Sequence, residues 1–306
     1  MRYNPRARLD SGQVSRRGGG GGGMGGFPMG GGGRGGMRVG GGIGGVIVLV
    51  VIFLLQSQLG GGGGGAGVTS GQDGGTTLDQ CTTGRAANQD QDCALVADVN
   101  SIQSYWTEAL PQQSGTPYTR AVTNIFTGNV QTGCGGATAD VGPFYCPVDK
   151  NVYLDTTFFQ DMLEGQLGAR GGEFSRAYVL AHEYGHHVQD LLGTMGRVRT
   201  QQGASSDAVR LELQADCYAG MWTRHATTAE DANGEVFILD LTQDDIDRAL
   251  DAAAAVGDDR IQRRSSGRVD PESWTHGSAE QRQRWFSTGM KAGTLRACDT
   301  FSANPL

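Results

Sequence analysis

Cysteine is sparse in this chain, and its spacing excludes one class of metal site. Six cysteines occur among 306 residues, and no two have the Cys-x-x-Cys spacing that is typical of thiolate zinc sites. An even number of cysteines without that spacing instead indicates a disulfide-bonded domain in an oxidising compartment. The least entangled pairing joins Cys81 to Cys93, Cys134 to Cys146 and Cys217 to Cys298.

Long hydrophobic runs are also scarce, and the one strongly apolar run is residues 43–55. With its flanks it reaches about 20 residues, enough for one membrane-spanning helix, which we predict at residues 43–59. A cleaved signal peptide is the competing interpretation, because the apolar run is short, although no small-x-small cleavage site follows it. A buried core helix is a third interpretation, but the glycine tracts on both sides leave it nothing to pack against.

Acidic residues are nearly missing ahead of the apolar run, where seven arginines accompany Asp10 alone. Positive charge stays on the cytoplasmic side, so we predict a cytoplasmic amino terminus and an extracytoplasmic location for the domain that follows the span. The two Arg-Gly-Gly triplets, at Arg17 and Arg34, resemble segments that bind single-stranded nucleic acid. Charge that sets membrane topology explains them more simply, so nucleic-acid binding is not the favoured interpretation.

Glycine divides the chain into parts, since 30 of its 52 glycines precede residue 76. We predict a disordered Gly/Arg-rich cytoplasmic tail at residues 1–42 and a flexible Gly-rich linker at residues 60–78. Residues 79–306 are long enough to bury a core and are predicted to be the folded domain.

Histidine is rare as well, but three of the five histidines lie between His182 and His187, in the sequence His-Glu-Tyr-Gly-His-His. On a helix, residues four apart point the same way, so His182 and His186 can offer ring nitrogens to one metal ion. Glu183 lies beside them, where a general base would take a proton from an attacking water. The pattern predicts a zinc site for amide hydrolysis. The alternative is a helix with two hydrogen-bonded histidines and a surface glutamate.

A third ligand is needed, and its identity separates the classes of such sites. The pattern HExxHxxGxxH is excluded, because Gln189 and Leu192 occupy its glycine and third histidine positions. Residues 206–225 are predicted to form a helix with Glu212 and Asp216 on one face. Glu212 is the predicted ligand, and Asp216 would accept a hydrogen bond from a ligating histidine. The reverse assignment, with Asp216 as the ligand and Glu212 on the surface, stays open.

One more histidine, His276, lies near Arg282 in the last part of the chain. Either side chain is a candidate to hydrogen-bond the oxyanion that forms when water adds to a scissile carbonyl. The alternative is local, because Ser278 is a good helix cap and Gln281 would complete a capping box. A cap explains Ser278 without explaining the histidine.

The segments HEYGHHVQD and LELQADCYAG resemble the putative neutral zinc metallopeptidase family, a gluzincin-type group. The likeness spans about Gln80–Cys298, includes Gly142–Asp155 and the glycine-rich region ahead of the domain, and shows no departure at the metal positions. It implies a zinc endopeptidase whose base is Glu183 and whose Zn²⁺ ligands are His182, His186 and Glu212. The segment at His276 and Arg282 resembles a His-Pro…Arg segment of some membrane-associated gluzincins, except that Gly277 replaces the proline.

The expected fold class is therefore α+β, a zincin-like (gluzincin) catalytic domain with a small antiparallel sheet and several helices. Hydrophobic periodicity and caps predict helices at residues 88–110 and 174–192 and helices that begin at Thr242 and Ser278. Strands are predicted between Ala121 and Asp155, and either of two, at residues 141–145 and 152–155, could be the edge that binds an extended peptide.

These observations predict a membrane-anchored zinc metalloendopeptidase that acts on peptides or proteins. A catalytically inactive, zinc-containing peptide-binding protein of the same fold is the alternative, and a membrane-linked nucleic-acid binder is a third hypothesis. Glu183 favours the enzyme, because zinc binding needs only the two histidines and Glu212.

Overall fold

Helices supply most of the regular structure in residues 1–17 and 76–306, which are the residues that this computed structural model describes. The helices are α1 (Gly84–Ala87), α2 (Gln91–Ser114), α3 (Glu173–Leu191), α4 (Asp207–His225), α5 (Gln243–Ala255), α6 (Asp258–Ser266) and α7 (Ala279–Ala292), with a π-helical segment at Phe158–Gln166. The strands are β1 (Arg2–Tyr3), β2 (Val14–Arg16), β3 (Thr76–Thr77), β4 (Thr123–Phe126), β5 (Asn129–Thr132), β6 (Gly135–Thr138), β7 (Phe144–Cys146), β8 (Asn151–Asp155) and β9 (Ile238–Asp240). The expected mixture of helices and small sheets is confirmed.

Side-chain caps fix where the helices near the site begin. Thr242 and Ser278 cap α5 and α7, as the sequence predicted, and each forms a capping box with the residue three positions on, Asp245 and Gln281. The Ser206 side chain accepts a hydrogen bond from Val209 N–H and so begins α4. These caps set the register at which α4 and α7 present their side chains.

The main sheet has five strands in the order β3-β2-β4-β8-β7. The β2–β4 and β4–β8 pairs are parallel, whereas β2–β3 and β7–β8 are antiparallel. The prediction of an antiparallel sheet is therefore wrong, and the sheet is mixed. The chain leaves β4 through the β5–β6 hairpin and β7 before it returns as β8, and a connection of that length allows a parallel pair.

Residues 1–17 are part of this fold, which corrects the prediction of a disordered tail over that segment. Strand β2 lies inside the main sheet, between β3 and β4, and β1 pairs with β9. Tyr3 is fully buried and its hydroxyl donates a hydrogen bond to Asp98 Oδ1 over 2.9 Å. The guanidinium of Arg17, predicted as part of an RGG triplet, donates from Nε to Asn124 Oδ1. Strand pairing and hydrogen bonds thus hold residues 1–17 in the fold, although the composition of residues 1–42 suggested disorder.

The pairing of β2 also conflicts with the predicted membrane topology. β2 precedes the apolar run and β4 follows it, yet the two strands are hydrogen-bonded neighbours. One crossing by residues 43–59 would place them on opposite sides of a membrane. The predicted span and most of the predicted linker, through residue 75, lie outside the described residues, and among those described no helix is long and apolar enough to cross a membrane.

Glycines let α3, α4 and α7, the helices that carry the predicted site residues, approach one another closely. A Cβ on Gly220 of α4 would lie 2.0 Å from Phe286 O, and a Cβ on Gly289 of α7 would lie 1.8 Å from Cys217 O. In α3, a Cβ on Gly185 would lie 3.0 Å from the backbone of Ala215. A larger residue at either contact of α4 with α7 would force the helices apart.

The three predicted disulfides are confirmed, and all six cysteines are paired: Cys81 with Cys93, Cys134 with Cys146, and Cys217 with Cys298. The last of these closes the longest loop, 81 residues in sequence, and ties the carboxy-terminal segment to α4. Closing a long loop restricts the unfolded chain most, so this disulfide supports the helix that carries Glu212.

Candidate metal centre

The His-Glu-x-x-His segment lies in the middle of α3, where its side chains are shielded from solvent. His182 and His186 are each 6% exposed, and Glu183 is 7% exposed. The two imidazole rings are neighbours, with centroids 4.8 Å apart, as the helical spacing predicted. Polar side chains this deep in a fold need specific partners, because an unpaired buried polar group is costly.

His182 and His186 both contact Glu212, the predicted third ligand. His182 Nε2 lies 3.2 Å from Glu212 Oε2, and His186 Nε2 lies 3.5 Å from Glu212 Oε1. One donor atom from each of the three residues lies within 4.8 Å of the others. Two imidazoles and one carboxylate are the donor set of many catalytic zinc sites, so these residues fit a zinc ion.

The Asp216 carboxylate lies on the opposite side of His182 from Glu212. Asp216 is completely buried and its Oδ1 lies 2.8 Å from His182 Nδ1. A proton on Nδ1 that is donated to Asp216 leaves the Nε2 lone pair directed to the Glu212 side. The geometry therefore supports Glu212 as the ligand and Asp216 as the acceptor, rather than the reverse assignment.

The second histidine is oriented by a residue whose role the sequence did not reveal. His186 Nδ1 lies 2.9 Å from Gln189 Oε1. The Gln189 amide nitrogen in turn donates to Leu211 O and to Gln214 Oε1 of α4. The Gln189 side chain thus holds the Nδ1 of His186 so that Nε2 points towards Glu212. Its position three residues after His186, one turn along the helix, was the available signal.

Arg282 does not lie where a contact to an oxyanion would require it. Its guanidinium makes a two-point contact with Asp216, with Nε 2.9 Å from Oδ2 and Nη2 3.0 Å from Oδ1. The same Nη2 is 3.4 Å from His182 Nδ1, on the side of the ring away from Nε2. The predicted oxyanion contact by Arg282 is therefore wrong, because its guanidinium binds the buried Asp216 carboxylate on the Nδ1 side of His182, away from Glu212.

His276 lies in the loop between α6 and α7, and that loop is organised by Asp258. The backbone N–H groups of residues 275, 276 and 277 all donate to Asp258 Oδ2, over 2.7 to 3.0 Å. The His276 ring is half-buried, with Nδ1 2.7 Å from Thr275 Oγ1 and 3.7 Å from Asp258 Oδ1. The sequence alone does not reveal the role of Asp258, because an acidic residue in the first turn of a helix is already explained by the helix dipole.

Electrostatics set His276 and Glu183 apart from solvent-exposed side chains. Burial alone would lower the pKa of His276, but the carboxylates of Glu212 and Asp258 raise it above its usual value. Glu212, a residue of the candidate metal centre, is therefore one of the two carboxylates that act on His276. Burial also raises the pKa of Glu183.

Comparisons with known proteins agree with this arrangement. Residues 1–301 match the family described as "Putative neutral zinc metallopeptidase". The chain is 53% identical over 234 residues to the uncharacterized protein Rv2575 of Mycobacterium tuberculosis strain H37Rv, with 76% of this chain and 78% of the relative covered. It is 38% identical over 242 residues to the uncharacterized protein YpfJ of Escherichia coli K12, with 77% and 79% covered.

No solved structure matches the chain significantly. The family match includes residues 1–17, the segment that the structure places in the main sheet. The extent of the match and the two relatives lead to one conclusion. This chain belongs to the putative neutral zinc metallopeptidase family.

Proposed function

We propose that this protein is a zinc metallopeptidase that hydrolyses peptide bonds, with Glu183 as the general base. The observation that carries the proposal is the convergence of His182, His186 and Glu212, with Glu183 buried beside them. Zinc in such a site acts as a Lewis acid that lowers the pKa of water and polarises a carbonyl. Glu183 takes the proton from the attacking water and delivers it to the leaving amine.

His276 is proposed to stabilise the oxyanion that develops on the scissile carbonyl. The Nδ1 atom of the ring contacts Thr275 Oγ1, so Nε2 is the atom that the ring offers as a donor to that oxygen. Three backbone hydrogen bonds to Asp258 hold the loop, so the ring would not need to reorganise during the reaction.

The peptide is proposed to bind in extended form along β7, antiparallel to it. Within the described residues β7 is an outer strand of the main sheet, whereas β8 lies inside it, so of the two predicted strands only β7 offers an edge. The Tyr145 hydroxyl of β7 donates to Asp190 of α3 over 2.9 Å. That contact holds the edge strand against the helix of the metal centre. Main-chain pairing accepts many sequences, which suits a peptidase with peptide or protein substrates.

The test compares three forms of the full-length chain on a casein or peptide-library substrate. The wild type should lose cleavage when zinc is chelated and regain it when zinc is returned. Glu183→Gln should bind zinc as the wild type does and lose turnover, because it keeps the shape of the side chain without its base. Glu173→Gln, at the exposed start of the same helix, is the matched control and should stay active.

If Glu183→Gln cleaves as fast as the wild type, the assigned base is wrong. If the wild type binds zinc and peptide but never cleaves, the inactive peptide-binding alternative is the correct one. The paired cysteines support an extracytoplasmic location, which we retain as part of the proposal. Membrane attachment through residues 43–59 stays a prediction, but the β2–β4 pairing conflicts with a single crossing.

A further inference from the structure

The buried Asp216 carboxylate makes four polar contacts with side chains of two other helices. Its Oδ1 accepts from the Tyr178 hydroxyl over 2.6 Å and lies 2.8 Å from His182 Nδ1. Arg282 adds two bonds, one to each carboxylate oxygen. These four residues come from α3, α4 and α7, and all four are buried.

The two-point contact with Arg282 fixes the plane of the Asp216 carboxylate. A planar guanidinium that binds both oxygens restricts rotation of the carboxylate, which a point charge such as lysine would not do. With that plane fixed, Oδ1 has one direction in which to face His182 Nδ1. The imidazole is then held with its Nε2 towards Glu212.

We propose that Arg282 is a positioning residue of the metal centre, which acts on His182 through Asp216. The inference rests on the proposed zinc site and assigns Arg282 no contact with substrate. Stability alone does not explain the arrangement, because well-packed apolar residues often replace a buried ion pair without loss of stability. Orientation of a metal ligand does explain why Tyr178, Asp216 and Arg282 are gathered on the Nδ1 side of the His182 imidazole.

The backbone around Arg282 is positioned firmly enough for this role. Gly220 and Gly289 bring α4 and α7 into direct backbone contact, which leaves little freedom between the helix of Asp216 and the helix of Arg282. Arg282 is 4% exposed, so water cannot readily take over its hydrogen bonds to the carboxylate.

The test measures zinc affinity by chelator competition on the full-length chain. We expect Arg282→Met to weaken zinc binding about 10- to 100-fold, the range typical for partners that orient ligands. Arg282→Lys should fall between Arg282→Met and the wild type, because it keeps the charge but not the two-point contact. Arg284→Met is the matched control on the same helix, where the native side chain is exposed and donates to Leu306 O. It should bind zinc as the wild type does.

A double-mutant cycle with Asp216→Asn separates this role from others. If Arg282 acts through Asp216, Arg282→Met should change zinc affinity less than about twofold when Asp216→Asn is already present. The same loss in both backgrounds, or an unchanged affinity of Arg282→Met alone, would overturn the inference. If Arg282→Met does not fold, the cycle is run with Arg282→Lys and judged by the same criteria.

Failure of this inference and failure of the proposed function give different results. A wild type that binds zinc but does not cleave peptides refutes the peptidase, while the affinity cycle still decides the role of Arg282. A wild type that binds no zinc refutes both.

Discussion

Asp98 gives a quantitative test of how residues 1–17 are held in the fold. It lies in α2, fully buried, with Oδ1 accepting the Tyr3 hydroxyl and Oδ2 without a hydrogen-bond partner within the described residues. Burial raises the pKa of Asp98 from 3.8 to about 7, against the opposing effects of Arg176 and the Tyr3 hydroxyl, and Glu173 adds to the rise. Asp98 therefore keeps its proton to a higher pH in the folded protein than in the unfolded chain.

The sign and size of the effect on stability follow from this pKa. The folded state binds the Asp98 proton more tightly than the unfolded chain does, so stability falls as the pH rises from about 4 to about 7. Below that window both states are protonated and the effect vanishes; above it, the loss is complete. At 1.36 kcal/mol per pKa unit, the difference between 3.8 and about 7 amounts to about 4 kcal/mol.

Asp98→Asn removes the ionisation and keeps an oxygen for the Tyr3 hydroxyl. Asparagine resembles the protonated acid, which also leaves one buried polar atom unpaired, so the variant should match the wild type near pH 4. At pH 8 it should have a free energy of unfolding up to about 4 kcal/mol higher. Denaturant unfolding of both proteins across this range is the assay, with Glu108→Gln on the exposed face of α2 as control. Parallel stability profiles for Asp98→Asn and the wild type would refute the reasoning.

Three further predictions concern the site and the fold. His276→Ala should lower kcat/KM about 100-fold or more with zinc content unchanged, and an undiminished kcat/KM would remove His276 from the mechanism. Gly220→Ala should lower the free energy of unfolding by about 1–3 kcal/mol, because its Cβ would meet Phe286 O, whereas Gly196→Ala, with open space around it, should have little effect. Two epitopes, one inserted in the glycine tract after β2 and one at the carboxy terminus, should be accessible to protease from the same side of the membrane, because β2 and β4 share a sheet. Accessibility of the two epitopes from opposite sides would contradict the pairing of β2 with β4.

The sequence predicted best what depends on neighbouring residues. The spacing of His182 and His186 requires only one helix, and the caps at Thr242 and Ser278 act on backbone groups of their own first turns. Glu212 required one more step, the assumption that a second amphipathic helix packs on the first. The structure supports that step, because Gly185 lets α4 approach α3.

The sequence could not predict pairings that join distant segments. Strand β2 has three residues, and its partners begin about 60 and about 110 residues later, so no local periodicity announces it. The Gly/Arg-rich composition of residues 1–42 predicts one disordered segment, although residues 1–17 contain the buried Tyr3 and Val14. Local patterns do not predict parallel pairing either, since strand direction depends on the path of the whole connection.

The role of Arg282 shows why identifying a site residue is easier than assigning its task. Its position after His276 indicated a residue near the site, but whether a guanidinium faces the substrate or a buried carboxylate depends on how three helices pack. Asp216, fully buried and close to His182 Nδ1, offers it two charge-assisted hydrogen bonds that an approach to the metal side of the ring would forgo. Because Gln189 holds His186 in the same way, each histidine has its Nδ1 fixed by a separate acceptor. The two imidazoles are therefore oriented through their Nδ1 atoms by residues that the His-Glu-x-x-His motif does not contain.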